Sequence, residues 1–301
     1  MKDKITEIFV KVDDFCIECE AELKKHRLET TNKRNRPARL SESEIISILI
    51  LFHFGSFRNF KHFYINYVSI HLKPEFPELV SYNRFIELQS RCIIPLVLFI
   101  KLKCLGKCTG INYIDSTPLR VCNNRRIHNH KVFRGSAERG HCSLGWFFGF
   151  KLHLIVNDQG ELMSFYLTKG NVDDRDIKTL SCMTENLFGK LFGDKGYISK
   201  ALSELLFQDG IQLITKVKKN MKAKPLSDME KILLRKRAII ETVNDELKNI
   251  CQIEHTRHRS INGFVLNVLA ALAAYSFFPK KPSINIVVDN KRNDQLVLFA
   301  A

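Results

Sequence analysis

The spacing of apolar residues changes character near Gly110. Up to about residue 106 they recur at helical intervals, and this part of the chain reads as all helix. LSESEIISILILF supplies a helix start: Ser41 is placed to cap, Glu44 completes a Ser-x-x-Glu box, and Leu40 with Ile45 forms a staple pair. RNFKHFYINYVSIHL, residues 58–72, sets bases and aromatic rings at helical spacing. That pattern suits a helix-turn-helix DNA-binding module and an ordinary packed helix equally well.

From Gly110 the apolar runs shorten. GINYIDSTPL reads as a strand stopped by Pro118, and residues 123–145, polar and basic, read as a loop. FFGFKLHLIVNDQGELMSFYLTKG alternates on both sides of Asn-Asp-Gln-Gly, the pattern of a hairpin. NVDDRDIKTLSCMTENLF predicts a helix with Asp173 as its cap, and Asp173, Asp174 and Asp176 as cap and first-turn residues. KLFGDKGYIS predicts a strand ending at Asp194. A helix over 199–208, a strand IQLITKV and one long helix from Ser227 to Ile250 follow. FVLNVLAALAAYSFF, 264–278, is too short for a membrane span and reads as a buried helix. Strands alternating with helices in this order imply a mixed sheet with helices on its faces. The predicted division is a helical domain 1–106, an α/β domain 107–278 and a tail 279–301 that contains the strand-like INIVV and QLVLF.

Charge narrows the partner. The 301 residues carry a formal +15, which favours a polyanion such as nucleic acid or an acidic membrane surface. The surplus is uneven: +6 over 120–153, +6 over 216–259, and −3 between them. Basic blocks thus flank an acidic middle that could hold a metal inside a DNA-binding surface. Nine cysteines without a framework, and an opening MKDKITEIFVKVDDF that is unlike an export leader, point to a reducing cytoplasm. Cys16-x2-Cys19 has no matching second pair, and Cys104, Cys108, Cys122, His128 and His130 form only a loose set, so zinc is disfavoured.

The acids carry the candidate chemistry. On a wheel of about 100° per residue with Arg237 at zero, Glu241 falls at about 40° and Lys248 at about 20°. Ile239, Ile240, Val243, Leu247 and Ile250 form an apolar stripe on the other side. Asp245 lies further off and Glu246 opposite, so geometry selects Glu241. A solvated Arg237–Glu241 ion pair would give the same pattern. Asp115 and Asp194 each end a predicted strand, and sites gather at strand ends in open sheets. Three such acids can surround a pair of hard cations such as magnesium, which take carboxylate and phosphate oxygens. Each aspartate also has a local alternative: Asp115 can cap the turn before Pro118, and Asp194 can form an Asx turn with Gly196. Lys151 and His153 share one face of the hairpin strand, directed at the site or lying on the sheet surface.

Over about residues 110–275 the sequence resembles the DDE transposases of bacterial insertion sequences. Its most specific motif is Arg-x3-Glu-x6-Lys, met by Arg237, Glu241 and Lys248; YIDSTPL and GDKGY resemble the family's two aspartate strands. The spacings are 79 residues from Asp115 to Asp194 and 47 from Asp194 to Glu241. Leu233, Leu234 and Arg235 stand where the family usually has a tyrosine before the arginine. The resemblance implies an α/β ribonuclease-H-like mixed sheet flanked by helices, preceded by an N-terminal all-α DNA-binding domain. It implies that Asp115, Asp194 and Glu241 are catalytic and hold two Mg2+ (or Mn2+) ions, and that water frees a 3′ hydroxyl at the element ends for attack on target DNA. Arg237 and Lys248 would bind phosphates or orient Glu241, with Lys195 a further phosphate contact. Arg125, Arg126, Lys131, Arg134 and Arg139 in one basic stretch, and Arg257 and Arg259 in another, fit contact with the DNA backbone. The expected partners are double-stranded DNA, as terminal inverted repeats and target, and a second copy of the chain, with no membrane; the expected location is the cytoplasm, on the nucleoid. Two other readings stay open: a DNA-binding relic of the same fold without chemistry, and a metal-dependent nuclease without strand transfer.

Overall fold

The fold is described from a computed structural model, for residues 2–25, 39–143, 145–217, 220–221, 225–254, 258–288 and 296–299. The chain divides into two compact units, Met1–Cys104 with Leu247–Phe278, and Leu105–Glu246 with Pro279–Ala301.

The first unit is helical. Helix α1 spans Lys2–Lys25 and α2 Glu42–Phe54. Ser41 caps α2 as the capping box requires: Glu44 N–H donates to its hydroxyl at 3.1 Å and its own N–H donates to Glu44 Oε2 at 2.8 Å. Leu40 and Ile45 are both buried beside it. A continuous helical run follows as α3 (Phe60–His62), a π-helical stretch Phe63–Val68, and α4 (Ser69–His71). Its aromatic residues turn inward: Phe63 and Tyr64 are buried and join Phe52, Phe60 and Phe85 in one ring cluster. Then come α5 (Tyr82–Gln89) and α6 (Ile93–Phe99).

The second unit is a mixed sheet. Strand β1 spans Ile111–Cys122, β2 Glu138–Cys142, β3 Gly145–Asn157, β4 Leu162–Lys169, β5 Gly189–Gly193 and β6 Ile211–Thr215. β3 lies antiparallel to β1 on one edge, while β2 and β4 pair with successive parts of its other edge. β5 and β6 continue the sheet beyond β1 as parallel strands. The tip of the β3–β4 hairpin is the expected Asn-Asp-Gln-Gly, where Gly160 takes a φ of +69°. Between the strands lie α7 (Ile177–Thr184) and α8 (Lys200–Gln208); α9 (Asp228–Arg235) and α10 (Ala238–Asp245) follow β6.

Four expectations change. Pro118 does not end β1, because beyond Tyr113 the strand pairs with β3 alone, and an unpaired edge tolerates a residue without an N–H. The basic stretch 123–145 is only partly loop: it contains a short 3₁₀ helix, Asn124–Asn129, and strand β2. Asp176, not Asp173, caps α7, accepting the Thr179 N–H at 2.9 Å. The single helix 227–250 is three pieces, because α9 packs against β5 and β6 whereas α10 packs against β1, and residues Glu246–Ile250 are π-helical.

Helix α11, Ile261–Ser276, is buried nearly all round and packs against α2 and α6 in the helical unit. It therefore lies outside the α/β unit in which the sequence pattern placed it. A two-stranded ladder, β7 (Asn285–Val288) with β8 (Leu296–Phe299), ends the chain. Among the described residues no helix is long and apolar enough to cross a membrane.

Gly149 marks the tightest point of the sheet: a Cβ there would sit 2.0 Å from the Leu119 carbonyl oxygen. Gly149→Ala should destabilise the protein by about 1–3 kcal/mol, read as a lowered urea midpoint. Gly196→Ala, whose Cβ meets nothing within 4 Å, should leave the midpoint unchanged. Equal midpoints for the two variants would contradict the packing described.

Candidate active site

Alternation along β1 decides which groups meet. Ile114 faces one side of the sheet, where it packs with Leu180 and Met183 of α7 and Leu202 and Leu206 of α8. Tyr113 faces the other side, stacks on Phe192 with centroids 5.4 Å apart, and donates its hydroxyl to the Leu233 carbonyl of α9 at 3.4 Å. Asp115, two residues on, shares the Tyr113 face. β1 and β5 run parallel with Tyr113 opposite Phe192. Asp194 follows directly after the end of β5, and its charge is felt at Asp115.

The third acid arrives on α10. Ile239, Ile240 and Val243 are buried and seat that helix, which packs on β1. Glu241 projects outward, its side chain 56% exposed. One turn later Asn244 donates its Nδ2 to Asp115 Oδ2 at 3.1 Å, a direct tie between helix and strand. On the wheel, Asn244 falls at about 340°, beside Arg237, so the sequence did carry a signal for it.

Burial pushes the Asp115 carboxyl from its ordinary 3.8 up to about 6. The Arg237 guanidinium and the Ser116 amide pull it down, and the charges of Glu241 and Asp194 push it further up. Asp115 thus lies in the field of the other two acids. The three do not yet share a point: among the described residues no three acid, histidine or cysteine side chains are close enough to hold a metal ion together. Two contacts occupy the outer pair. Arg237 Nη2 donates to Glu241 Oε1 at 2.5 Å, and Asp194 Oδ1 accepts the Lys195 N–H at 2.6 Å.

The donor set suits a hard divalent cation. Every donor is an oxygen, and Asn244 Oδ1 is buried with no hydrogen-bond partner among the described residues. A cation beside Asp115 would offset the burial, and the charges of Glu241 and Asp194, that raise its carboxyl.

Residues 105–261, more than half of the chain, match the family described as a transposase DDE domain. The chain belongs to that transposase family. No curated protein matches the sequence. Among solved structures, a piggyBac transposase in a synaptic complex with hairpin DNA matches with a TM-score of 0.49 and 10% identity, over 90% of this chain and 71% of that one.

In this transposase domain Ser116 faces away from Asp115 and donates to Asp174 Oδ1 at 2.8 Å; Lys151 donates to the same oxygen at 3.0 Å. Asp174 is therefore not a first-turn helix residue, and it sits on the opposite side of β1 from Asp115. Lys151 is committed to it. His153 is buried, its Nε2 2.8 Å from Thr168 Oγ1, and burial lowers it to about 4. Neither Lys151 nor His153 points at the acids. Asp173 binds its neighbour Arg175 instead of a helix end. Lys248 lies in the π-helical stretch and pairs with Glu254 at 3.6 Å, because a π turn changes the angular step on which the wheel relied. Ile250 leaves the apolar stripe for the same reason and is 41% exposed. Lys195, Arg125, Arg126, Lys131, Arg134, Arg139 and Arg259 are exposed; Arg257 lies outside the described residues. The sequence pattern also missed Tyr197, whose hydroxyl is buried; burial, then the charges of Asp115 and Asp174, hold it well above its ordinary value.

The raised Asp115 sets a pH test. Its protonated form is favoured by folding, so its stability contribution is present below about 4 and becomes a penalty as pH rises to about 6. In EDTA, Asp115→Asn should raise stability by about 1–3 kcal/mol at pH 7.5, with the gain vanishing near pH 4. Paired unfolding curves measure this, and a gain that is independent of pH would contradict the assignment.

Proposed function

We propose that the protein is an insertion-sequence transposase that cleaves DNA at the element's ends and joins the freed 3′ hydroxyl to target DNA. What supports the reading is the buried Asp115, whose carboxyl is raised by burial and, more weakly, by the charges of Glu241 and Asp194. These three side chains would hold a pair of divalent cations, magnesium or manganese, which when bound supply the charge that activates an attacking oxygen and stabilises a leaving one.

Asn244 fixes the Asp115 carboxylate through its Nδ2. Arg237 holds Glu241 through its Nη2, and giving that contact up to a DNA phosphate would free Glu241 to close on the two aspartates. Lys195 and the exposed Arg125 and Arg126 would take neighbouring phosphates, and Arg259 and Lys248 others. Acting on two element ends calls for at least two copies of the chain on DNA, in the cytoplasm and on the nucleoid.

The test is a cleavage and joining assay with magnesium on a labelled duplex carrying the element's terminal repeat. Losing one donor from a site that contributes several kcal/mol predicts that Asp115→Asn, Asp194→Asn and Glu241→Gln each lose about 10²-fold or more. Glu246→Gln should retain activity. Wild-type cleavage without joining would reduce the function to a nuclease. Binding without cleavage, in magnesium and in manganese, would mark a DNA-binding relic.

A further inference from the structure

Within the helical unit a cavity of about 600 Å3 opens between the end of α2, the start of the helical run at Phe60, α5 and the beginning of α11. Its rim is cationic: Arg58, Lys61 and Arg259 line it and all are exposed. Ser260 caps α11 by accepting the Gly263 N–H at 3.1 Å, so the positive end of a 16-residue helix opens there. One wall is aromatic. Phe60 and Tyr82 have centroids 6.4 Å apart, and Lys61 Nζ lies 5.9 Å from the Tyr82 centroid.

The decisive group is Gln89. It lines the cavity, is only 9% exposed, and has no hydrogen-bond partner among the described residues. Three other polar groups around the cavity are already used: His53 Nδ1 meets the Cys251 carbonyl, Asn267 donates to the Ile253 carbonyl, and Asn59 accepts the His62 N–H. A buried amide needs both a donor and an acceptor opposite it. Phosphate and carboxylate offer acceptors alone; the edge of a nucleobase offers both. Rings give a base a stacking surface, and cations with a helix N-terminus take its phosphate.

We propose that this cavity binds one unpaired nucleotide of the DNA substrate, its phosphate at the Arg58–Lys61–Arg259 rim, its base against Tyr82 and Phe60, and its edge on Gln89. The base must be unpaired, because pairing would occupy the edge that Gln89 requires. The proposal rests on the reading of the protein as an enzyme acting on DNA.

Fluorescence anisotropy of the full chain with a labelled dT15 strand tests it. Stacking on one ring is worth about 1–3 kcal/mol, so Tyr82→Ala should weaken dT15 binding by about tenfold, and Gln89→Leu comparably. Lys61→Ala, at an exposed position that cannot unfold the core, should weaken it as well. Thymidine monophosphate should displace dT15, and inorganic phosphate at matched ionic strength should not. Unchanged dT15 affinity in Tyr82→Ala and Gln89→Leu would overturn the proposal, as would a wild type that does not bind dT15, or phosphate competing as well as the nucleotide. If the cavity variants bind dT15 normally while Asp115→Asn loses duplex cleavage, the nucleotide site fails and the transposase reading stands. If the cavity variants lose dT15 while Asp115→Asn still cleaves, the nucleotide site stands and the acid assignment fails.

Discussion

The buried carboxyl of Asp115, raised by burial and further by the charges of Glu241 and Asp194, is the constraint on which the α/β unit turns. Left to itself, an acid as buried as Asp115 would be neutral or paired. Here it is raised by burial and again by Glu241 and Asp194, and Arg237 offsets only part of that. A fold selected for stability alone would separate these groups or replace one with an amide. Keeping them together is the sort of local conflict that function sustains.

The sheet enforces the conflict through register. Asp115 reaches the Tyr113 face only because side chains alternate along β1, and Asp194 follows the end of β5, which runs parallel to β1 with Tyr113 opposite Phe192. A slip of one residue would turn Asp115 under α7 and α8, into an apolar cluster. Gly149, with no room for a Cβ against the Leu119 carbonyl, helps hold β3 close to β1. α10 then brings Glu241 and Asn244 from the same face, and Asn244 ties the helix to Asp115.

Much of this was legible from residues. The capping box at Ser41 and Glu44, the hairpin at Asn-Asp-Gln-Gly and the strand end just before Asp194 all depend on nearest-neighbour chemistry, which a sequence states directly, whereas β1 does not end near Asp115 but runs on to Cys122 against β3. What was hidden depends on tertiary contact. β2 is too polar and too short to show its period, and forms because β3 offers an edge. The break between α9 and α10 has no Gly or Pro to announce it; the two helices rest on different strands of a twisted sheet. α11 is apolar all round, so its pattern says that it is buried and not in which unit. Asn244 lies on the Arg237 side of the wheel, but beyond that position an uncharged amide carries no sequence signal that separates it from an ordinary surface residue.

The central claim is that Asp115, Asp194 and Glu241 form one cation site once Glu241 leaves Arg237. Its most direct test is the titration of Mn2+ into the DNA-free and DNA-bound protein, followed by electron paramagnetic resonance, with Asp115→Asn alongside. The account predicts bound Mn2+ in the wild type, tighter when DNA is present to draw Arg237 away, and lost in the variant. Equal Mn2+ binding by wild type and Asp115→Asn, with or without DNA, would contradict it.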